Sequence, residues 1–181
     1  MTLPNMISLA RLLSVPFNVW LIMIDHWRMA LFVFCLAGLS DAVDGFLAKK
    51  FGMQSRLGRY LDPIADKVLL VSIFIVLGAQ GHLPLWLVIL VVSRDILIGG
   101  GLFLLYLFDQ PYEPKPLFSS KINTGVQIIL AASVIAVFAF PLEEASSYVQ
   151  ILVAATALTT VASGTEYLID WWRRMNKLEQ E

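Results

Sequence analysis

Six long apolar segments occupy most of this chain of 181 residues and leave little sequence for a water-facing surface. A helix that crosses a bilayer needs roughly 17–25 mostly apolar residues, and short stretches with turn-forming or polar residues separate the six segments. They are about Ile7–Ile24, Met29–Ala48, Asp62–Ala79, Pro84–Phe108, Ile122–Phe140 and Tyr148–Trp171. The chain is 58% hydrophobic and 15% charged, which is more apolar than a soluble domain. The sequence therefore predicts an all-α fold, an integral membrane bundle of six transmembrane helices, as a single domain over residues 1–181.

The basic residues are distributed unevenly between the two ends of the predicted spans. Nine of the thirteen lie at one end: Lys49, Lys50, Arg56, Arg59, Lys115, Lys121, Arg173, Arg174 and Lys177. The connections at the other end hold only Arg28. Because cytoplasmic loops carry an excess of lysine and arginine, both termini and the connection between spans two and three are predicted to face the cytoplasm. The formal net charge of −1 argues against a nucleic-acid partner.

The first apolar segment lacks the features of a cleaved targeting sequence. No lysine or arginine precedes Arg11 and no small-residue cleavage site follows, so the segment is interpreted as a retained helix. It also lacks the Arg- and Ser-rich character of a transit peptide. We therefore expect a multi-pass protein of a bacterial inner (cytoplasmic) membrane rather than of the mitochondrial inner membrane.

Three cations, Arg11, Lys67 and Arg94, fall inside predicted spans. Charges inside a membrane are costly and are functional candidates by default. For Arg11 and Lys67, near the cytoplasmic end, the simpler alternative is that the side chain extends to the interface. For Arg94, which precedes Asp95, the alternative is a structural ion pair.

Four aspartates lie at the cytoplasmic ends of the second and third spans: Asp41, Asp44, Asp62 and Asp66. Helical residues three, four and seven apart share a face, so the first two aspartates share theirs with Gly45 and Ala48. The last two are four apart and also share a face, and Pro63 between them fits the first turn of the third helix. Because only about a dozen residues join the two spans, they are antiparallel neighbours and the four carboxylates can converge.

Converging carboxylates repel one another at low dielectric unless cations offset them. Magnesium prefers carboxylates together with substrate phosphates, and two metals bridged by carboxylates form a common clamp for displacement at phosphorus. A single aspartate would more simply be a helix cap or a surface charge. The four in this spacing predict a site for hard divalent cations such as Mg²⁺, and the adjacent Lys49, Arg56 and Arg59 suit phosphate oxygens.

This spacing resembles the motif of the CDP-alcohol phosphatidyltransferases, D-x2-D-G-x2-A-R-x8-G-x3-D-x3-D. The motif reads here Asp41, Asp44, Gly45, Ala48, Lys49, Gly58, Asp62 and Asp66. Each spacing fits, and one residue type departs, since lysine stands where the family has arginine. Lysine keeps the positive charge but loses the planar fork that binds two phosphate oxygens. Segments such as SRDILI and SKINTGVQIILAA look most like the CMP-forming cardiolipin synthases of this family.

The resemblance implies an enzyme that transfers the phosphatidyl group of CDP-diacylglycerol to the glycerol hydroxyl of phosphatidylglycerol, giving cardiolipin and CMP. It implies that the four aspartates hold two Mg²⁺ or Mn²⁺ ions and that Asp66 is the general base. The residues implied to bind CDP-diacylglycerol are Asp41, Asp44, Gly45, Ala48, Lys49 and Gly58. Relatives are commonly dimers, so a homodimer is also implied.

The acceptor's phosphodiester calls for cations near the cytoplasmic face. The candidates, in falling order, are Arg94, Lys121, Arg59 and Arg11. Lys121 has a simpler alternative as an anchor of the positive-inside type.

Three other functions fit parts of the pattern. A phosphatidylglycerophosphate synthase would use glycerol 3-phosphate as the acceptor and call for more basic residues. An intramembrane prenyltransferase also combines aspartates, magnesium and a pyrophosphate, but would have a longer chain. A divalent-cation transporter or channel would place its acids near the bilayer midplane, often with internal repeats, whereas these acids lie at one face and no repeat is found.

Overall fold

The computed structural model describes the backbone of residues 3–51, 56–107, 118–140 and 145–178, and the side chains of residues 9–40, 64–101, 118–140 and 147–173. All regular structure in those residues is helical. The helices are α1 (Leu3–Met23), α2 (Trp27–Phe51), α3 (Arg56–Ala79), α4 (Leu85–Leu107), α5 (Phe118–Ala139) and α6 (Ala145–Leu178). The all-α prediction is therefore confirmed for the part of the chain that the structure describes.

Each predicted span coincides with one helix, but several helices continue beyond the apolar segment. Helix α2 extends to Phe51, and α3 begins at Arg56, nearly two turns before Asp62. The assignment of Pro63 to the first turn of α3 is therefore wrong, because this residue lies in the interior of the helix. A proline removes one backbone hydrogen bond without always ending a helix, and α1 likewise continues through Pro16.

The chain divides into two compact units, of which the first comprises Met1–Leu83 with Ala131–Ser146. Within it α1 packs against α2 and α3. The core is apolar, and Ile22, Ile73 and Phe74 are fully buried. Asn18 is a buried polar exception in α1, whose Nδ2 donates to the carbonyl of Ala30 in α2 at 3.4 Å. Such interhelical hydrogen bonds join helices where apolar packing alone is not selective.

An aromatic cluster closes the end of this unit at which α1 and α3 finish. Trp27, at the start of α2, stacks on Phe138 of α5 with ring centroids 4.8 Å apart. The imidazole of His82 contacts both rings, at 5.0 Å and 4.2 Å between centroids. These contacts hold the turn between α1 and α2, where Asp25 adopts a left-handed φ of 60°. The cluster therefore stabilises the unit where α1 finishes, which is the end of α1 away from Arg11.

The second unit comprises Pro84–Leu130 with Ser147–Glu181, and its interior is far more polar. Leu87 and Leu130 supply apolar packing. Beside them lie six buried polar or charged side chains: Arg94, Asn123, Gln127, Thr156, Thr160 and Ser163. Because a buried polar group must find a hydrogen-bond partner, the packing of this unit is governed by specific polar contacts.

Many large apolar side chains face outward on the described helices. Leu13, Phe32 and Leu158, for example, are more than 60% exposed. Among the described residues, two helices are long and apolar enough to cross a membrane, Phe118–Ala139 and Ser147–Arg173. Exposed apolar faces of this extent suit contact with lipid, because soluble monomers rarely expose large apolar patches.

Candidate active site

Asp66 lies on α3 at the edge of the stripe that this helix buries. Ala65, Leu69 and Ile73 follow one another at intervals of four residues and are all buried. Asp66 is one position further round the helix, and its side chain is 42% exposed. The helix therefore holds this carboxylate on a rigid element while leaving part of it accessible.

Arg11 of α1 forms an ion pair with this carboxylate. Its Nη1 donates to Asp66 Oδ1 at 2.6 Å, which is a short charge-assisted hydrogen bond. The Arg11 side chain is only 1% exposed, so it does not extend to the interface. Of the two interpretations that the sequence leaves open for Arg11, the structure supports a charge held inside the first unit.

The ion pair compensates the buried charge of Arg11 and joins α1 to α3. Burial of a guanidinium is costly unless a carboxylate compensates it, and Asp66 supplies that charge from a neighbouring helix. The two residues are 55 positions apart in the chain, so the contact depends on the register of α1 against α3. Arg11 thereby fixes the position of the one motif aspartate whose side chain is described.

The other motif residues lie on the same two helices. Helix α2 contains Asp41, Asp44, Gly45, Ala48 and Lys49, and α3 contains Gly58, Arg59 and Asp62. Their side chains fall outside the residues whose side chains the structure describes. The backbone is helical at all of these positions, so the shared-face argument holds for each aspartate pair.

The donor set fits a hard divalent cation by its chemistry. Carboxylate oxygens are the ligands that magnesium and manganese prefer. The two aspartate pairs, one on α2 and one on α3, can supply four carboxylates. Among the described side chains no group of three or more His, Cys, Asp and Glu residues forms a metal site. Three of the four motif aspartates lie outside that search, so the metal site stays a prediction.

Arg94 of α4 occupies a closed polar environment in the second unit. Its Nη1 donates to Asp95 Oδ1 at 2.7 Å, and its Nη2 donates to the hydroxyl of Ser120 at 2.8 Å. The same Nη2 donates to the hydroxyl of Ser163, and the guanidinium lies 5.8 Å from the ring centroid of Tyr167. Arg94 therefore connects α4, α5 and α6.

This geometry bears on the role predicted for Arg94. Its side chain is 4% exposed and that of Asp95 is 10% exposed. A guanidinium with this many protein partners serves the packing of the unit, as the ion-pair interpretation expects. Contact with an acceptor headgroup stays a prediction for Arg94. Sequence spacing does not identify the two serines and Tyr167 as partners of Arg94, because they lie on helices other than α4.

Lys121, the second candidate for the acceptor, lies in the first turn of α5 and is exposed. Close to it, the Ser119 hydroxyl donates to a carboxylate oxygen of Glu166 on α6. An exposed ammonium at a helix end is accessible to a phosphodiester. This observation supports an acceptor role for Lys121 more directly than for the buried Arg94.

Comparison with known proteins gives consistent matches. The family model "CDP-alcohol phosphatidyltransferase" matches residues 1–162. The CMP-forming cardiolipin synthases of Rattus norvegicus and Homo sapiens are each 38% identical over 92% of this chain and 60% of their own length. The chloroplastic CDP-diacylglycerol--glycerol-3-phosphate 3-phosphatidyltransferase 1 of Oryza sativa subsp. japonica is 36% identical over 94% of this chain and 57% of its own length. The chain thus spans about 60% of the length of these relatives.

Proposed function

This chain belongs to the CDP-alcohol phosphatidyltransferase family, and on that premise we propose that it transfers the phosphatidyl group of CDP-diacylglycerol to phosphatidylglycerol, giving cardiolipin and CMP. The similarity to two CMP-forming cardiolipin synthases supports phosphatidylglycerol as the acceptor. The observation that carries the proposal is the half-exposed carboxylate of Asp66, which a buried arginine holds at the last position of the motif.

Asp66 is proposed to act as the general base. Its carboxylate accepts the proton of the glycerol hydroxyl, and the oxygen of that hydroxyl forms a bond to the phosphorus that carries diacylglycerol. The bond from this phosphorus to the pyrophosphate bridging oxygen breaks, and CMP leaves with that oxygen. No covalent intermediate with the protein is required, because the acceptor oxygen itself is the nucleophile.

Arg11 is proposed to be a positioning residue for this step. Its guanidinium holds Asp66 Oδ1 at 2.6 Å and favours the ionised carboxylate that a base requires. Because Arg11 is buried and Asp66 is partly exposed, the contact orients the carboxylate from the protein side. Reacting groups that are held in the productive geometry before the substrate arrives lower the barrier of the reaction.

The motif as a whole, with Asp66 also as a metal ligand, is proposed to bind the nucleotide half of the donor. Asp41, Asp44, Asp62 and Asp66 would hold two Mg²⁺ or Mn²⁺ ions, which when bound supply positive charge against the pyrophosphate. Lys49 adds a further positive charge as a single ammonium. Gly45, Ala48 and Gly58 present little side chain, so the nucleotide can approach the helix backbone closely.

A membrane setting is proposed for all six helices. Two of them are apolar and long enough among the described residues, and the lipid substrates require access from a bilayer. The distribution of lysine and arginine supports cytoplasmic termini and a cytoplasmic site. A bacterial inner membrane location and a homodimer stay predictions from the sequence.

A second candidate function is the use of glycerol 3-phosphate as the acceptor, with phosphatidylglycerophosphate as the product. The name of the rice relative favours it, since that protein is a CDP-diacylglycerol--glycerol-3-phosphate phosphatidyltransferase. The two reactions share the donor and CMP, and differ only in the group that attacks. Recognition of the acceptor therefore decides between them.

The acceptor is tested by supplying purified protein with CDP-diacylglycerol, magnesium and one acceptor at a time. We expect CMP release with phosphatidylglycerol, with cardiolipin as the lipid product by mass spectrometry. Release with glycerol 3-phosphate alone would replace the cardiolipin assignment by the second candidate. Absence of CMP with either acceptor would contradict the phosphatidyltransfer itself.

A further inference from the structure

A ladder of paired polar side chains crosses from α5 to α6 in the second unit. Two rungs are Ser120 with Ser163 and Asn123 with Thr160, and the register of these two places Gln127 opposite Thr156 as the third. The steps of three and four residues along α5 are matched by equal steps backwards along α6. This is the register of two antiparallel helices that face each other through one stripe.

The first two rungs are closed by hydrogen bonds. Arg94 inserts between the serines of the first rung and donates to both hydroxyls. In the second rung Asn123 Oδ1 lies 2.9 Å from the hydroxyl oxygens of both Thr160 and Thr159, and each of these hydroxyls also lies within hydrogen-bond distance of a backbone carbonyl of α6. One rung is thus bridged by a third group, and the next is joined directly.

The third rung is not closed by the protein. Gln127 is 1% exposed and Thr156 is fully buried. Within the part of the chain that the structure describes, neither polar atom of the Gln127 side chain has a hydrogen-bond partner, and the same holds for Thr156 Oγ1 and Asn123 Nδ2. Four such atoms on two residues of α5 and one residue of α6 are unusual, because buried polar groups are almost always paired, most of all where lipid surrounds the helices.

The unpaired atoms form a complementary set. Asn123 Nδ2 and Gln127 Nε2 are donors, Gln127 Oε1 is an acceptor, and Thr156 Oγ1 can act as either. Asn123 and Gln127 are four residues apart on one helix face, and the register set by the first two rungs places Thr156 opposite them. A hydroxyl oxygen placed among them would accept from an amide N–H and donate to Gln127 Oε1. This set selects a small neutral group with both a donor and an acceptor.

We propose that Asn123, Gln127 and Thr156 form an internal binding site for a hydroxyl group. The hydroxyl bridges the third rung as Arg94 bridges the first. It comes either from an internal water or from a glycerol moiety that enters the second unit. The site stands without the proposed function, and only the glycerol source rests on it. Internal waters typically make about three hydrogen bonds to buried polar groups, which this set can provide.

The site is tested by solid-state NMR, which measures the transfer of proton magnetisation from nearby hydroxyl or water protons to the side-chain amide of Gln127. The full chain is labelled with 15N at glutamine side chains and placed in phosphatidylcholine bilayers, with and without phosphatidylglycerol. Loss of one signal in Gln127→Met assigns the amide. We expect transfer from water protons in both bilayers if water fills the site, or from glycerol hydroxyl protons only with phosphatidylglycerol. Absence of transfer in both bilayers would overturn the proposal.

Thermal unfolding gives a second and independent reading. If a hydroxyl bridges the rung, Gln127→Met and Thr156→Val each lower the unfolding midpoint by roughly 2–4 °C, and the double variant lowers it by no more than one of them. If the groups are unbridged, each apolar replacement raises the midpoint, which would contradict the site. Gln150→Met, the same change at an exposed position of α6, should leave the midpoint unchanged. Neither measurement needs turnover, so failure of the site and failure of the proposed reaction are separable.

Discussion

Two arginine–aspartate ion pairs in this protein have similar nitrogen–oxygen distances but differ in how far the aspartate is exposed. Arg11 and Asp66 are 2.6 Å apart, and Arg94 and Asp95 are 2.7 Å apart. Both guanidinium groups are buried, but Asp66 is 42% exposed whereas Asp95 is 10% exposed. A buried arginine is therefore not by itself a sign of a substrate site. The accessibility of the carboxylate distinguishes a pair that can take part in chemistry from a pair that holds helices together.

The surroundings of the two pairs support this distinction. Arg94 also binds two serine hydroxyls and lies against Tyr167, so its contacts join three helices of the second unit. Asp66 instead ends a motif whose other aspartates belong to α2 and α3. The comparison predicts that changes in the first pair affect turnover and changes in the second affect stability.

The largest expected effect is that of metal removal. Chelation should lower CMP release by roughly a hundredfold or more, because several kcal/mol of charge stabilisation are lost and each 1.4 kcal/mol is tenfold in rate. Added Mg²⁺ or Mn²⁺ should restore it. The unfolding midpoint of Asp41→Asn should become insensitive to added metal while that of the wild type rises. Full turnover in a chelator would contradict the metal site.

Replacement of Arg94 should have the next largest effect, and on stability. Arg94→Met removes a buried ion pair and two serine contacts, which should cost about 3 kcal/mol and lower the unfolding midpoint by roughly 6–12 °C. Arg94→Lys should recover only part of this loss, because one ammonium cannot reproduce the planar fork. Thermal unfolding in detergent measures both.

The control for this replacement is the activity of the protein that remains folded. If CMP release per folded molecule is normal in Arg94→Met and only stability falls, Arg94 is structural. A selective increase in KM for phosphatidylglycerol, with the midpoint unchanged, would instead assign Arg94 to the acceptor site and break the comparison.

A conservative change of Arg11 should act on the rate. Arg11→Lys keeps the charge but loses the fork that orients Asp66 Oδ1, so kcat should fall roughly tenfold while KM for CDP-diacylglycerol is unchanged. Steady-state kinetics with varied donor concentration separate the two constants. An increased KM with an unchanged kcat would argue for contact between Arg11 and substrate instead of a positioning role.

The smallest expected effect is that of Lys121. Lys121→Ala should raise KM for phosphatidylglycerol by roughly threefold to fivefold, since an exposed ion pair contributes at most about 1 kcal/mol. Arg173→Ala removes an equal charge from an exposed position of α6 and should change KM less. Equal effects of the two variants would indicate general attraction to an anionic lipid rather than an acceptor contact.

Hydropathy alone predicts the helices, because each helix contains a long run of consecutive apolar residues. All six predicted spans coincide with helices α1 to α6. The ends are less accurate, as α3 shows by beginning at Arg56, because polar residues extend a helix without changing its apolar segment. Helical spacing likewise predicts the shared faces of the aspartates, which depend only on residues three or four apart.

The spacing of residues in the sequence does not predict which side chains of other helices surround the two arginines. Arg11 and Asp66 are far apart in the chain, so their contact follows from how α1 packs on α3. Arg94 and Asp95 are neighbours in the sequence, so their ion pair is one of the interpretations that the sequence itself offers. Ser120 and Ser163 could not be foreseen as its partners, because they come from two other helices.

Matched substitutions of the two aspartates test the central comparison most directly. Asp66→Asn and Asp95→Asn make the same chemical change, and CMP release from CDP-diacylglycerol and phosphatidylglycerol is measured per folded molecule. The comparison predicts a loss of roughly a hundredfold or more for Asp66→Asn, which removes the base, and a change below about threefold for Asp95→Asn, which lowers only the unfolding midpoint. Near-normal turnover in Asp66→Asn, or an equal loss in Asp95→Asn, would contradict it.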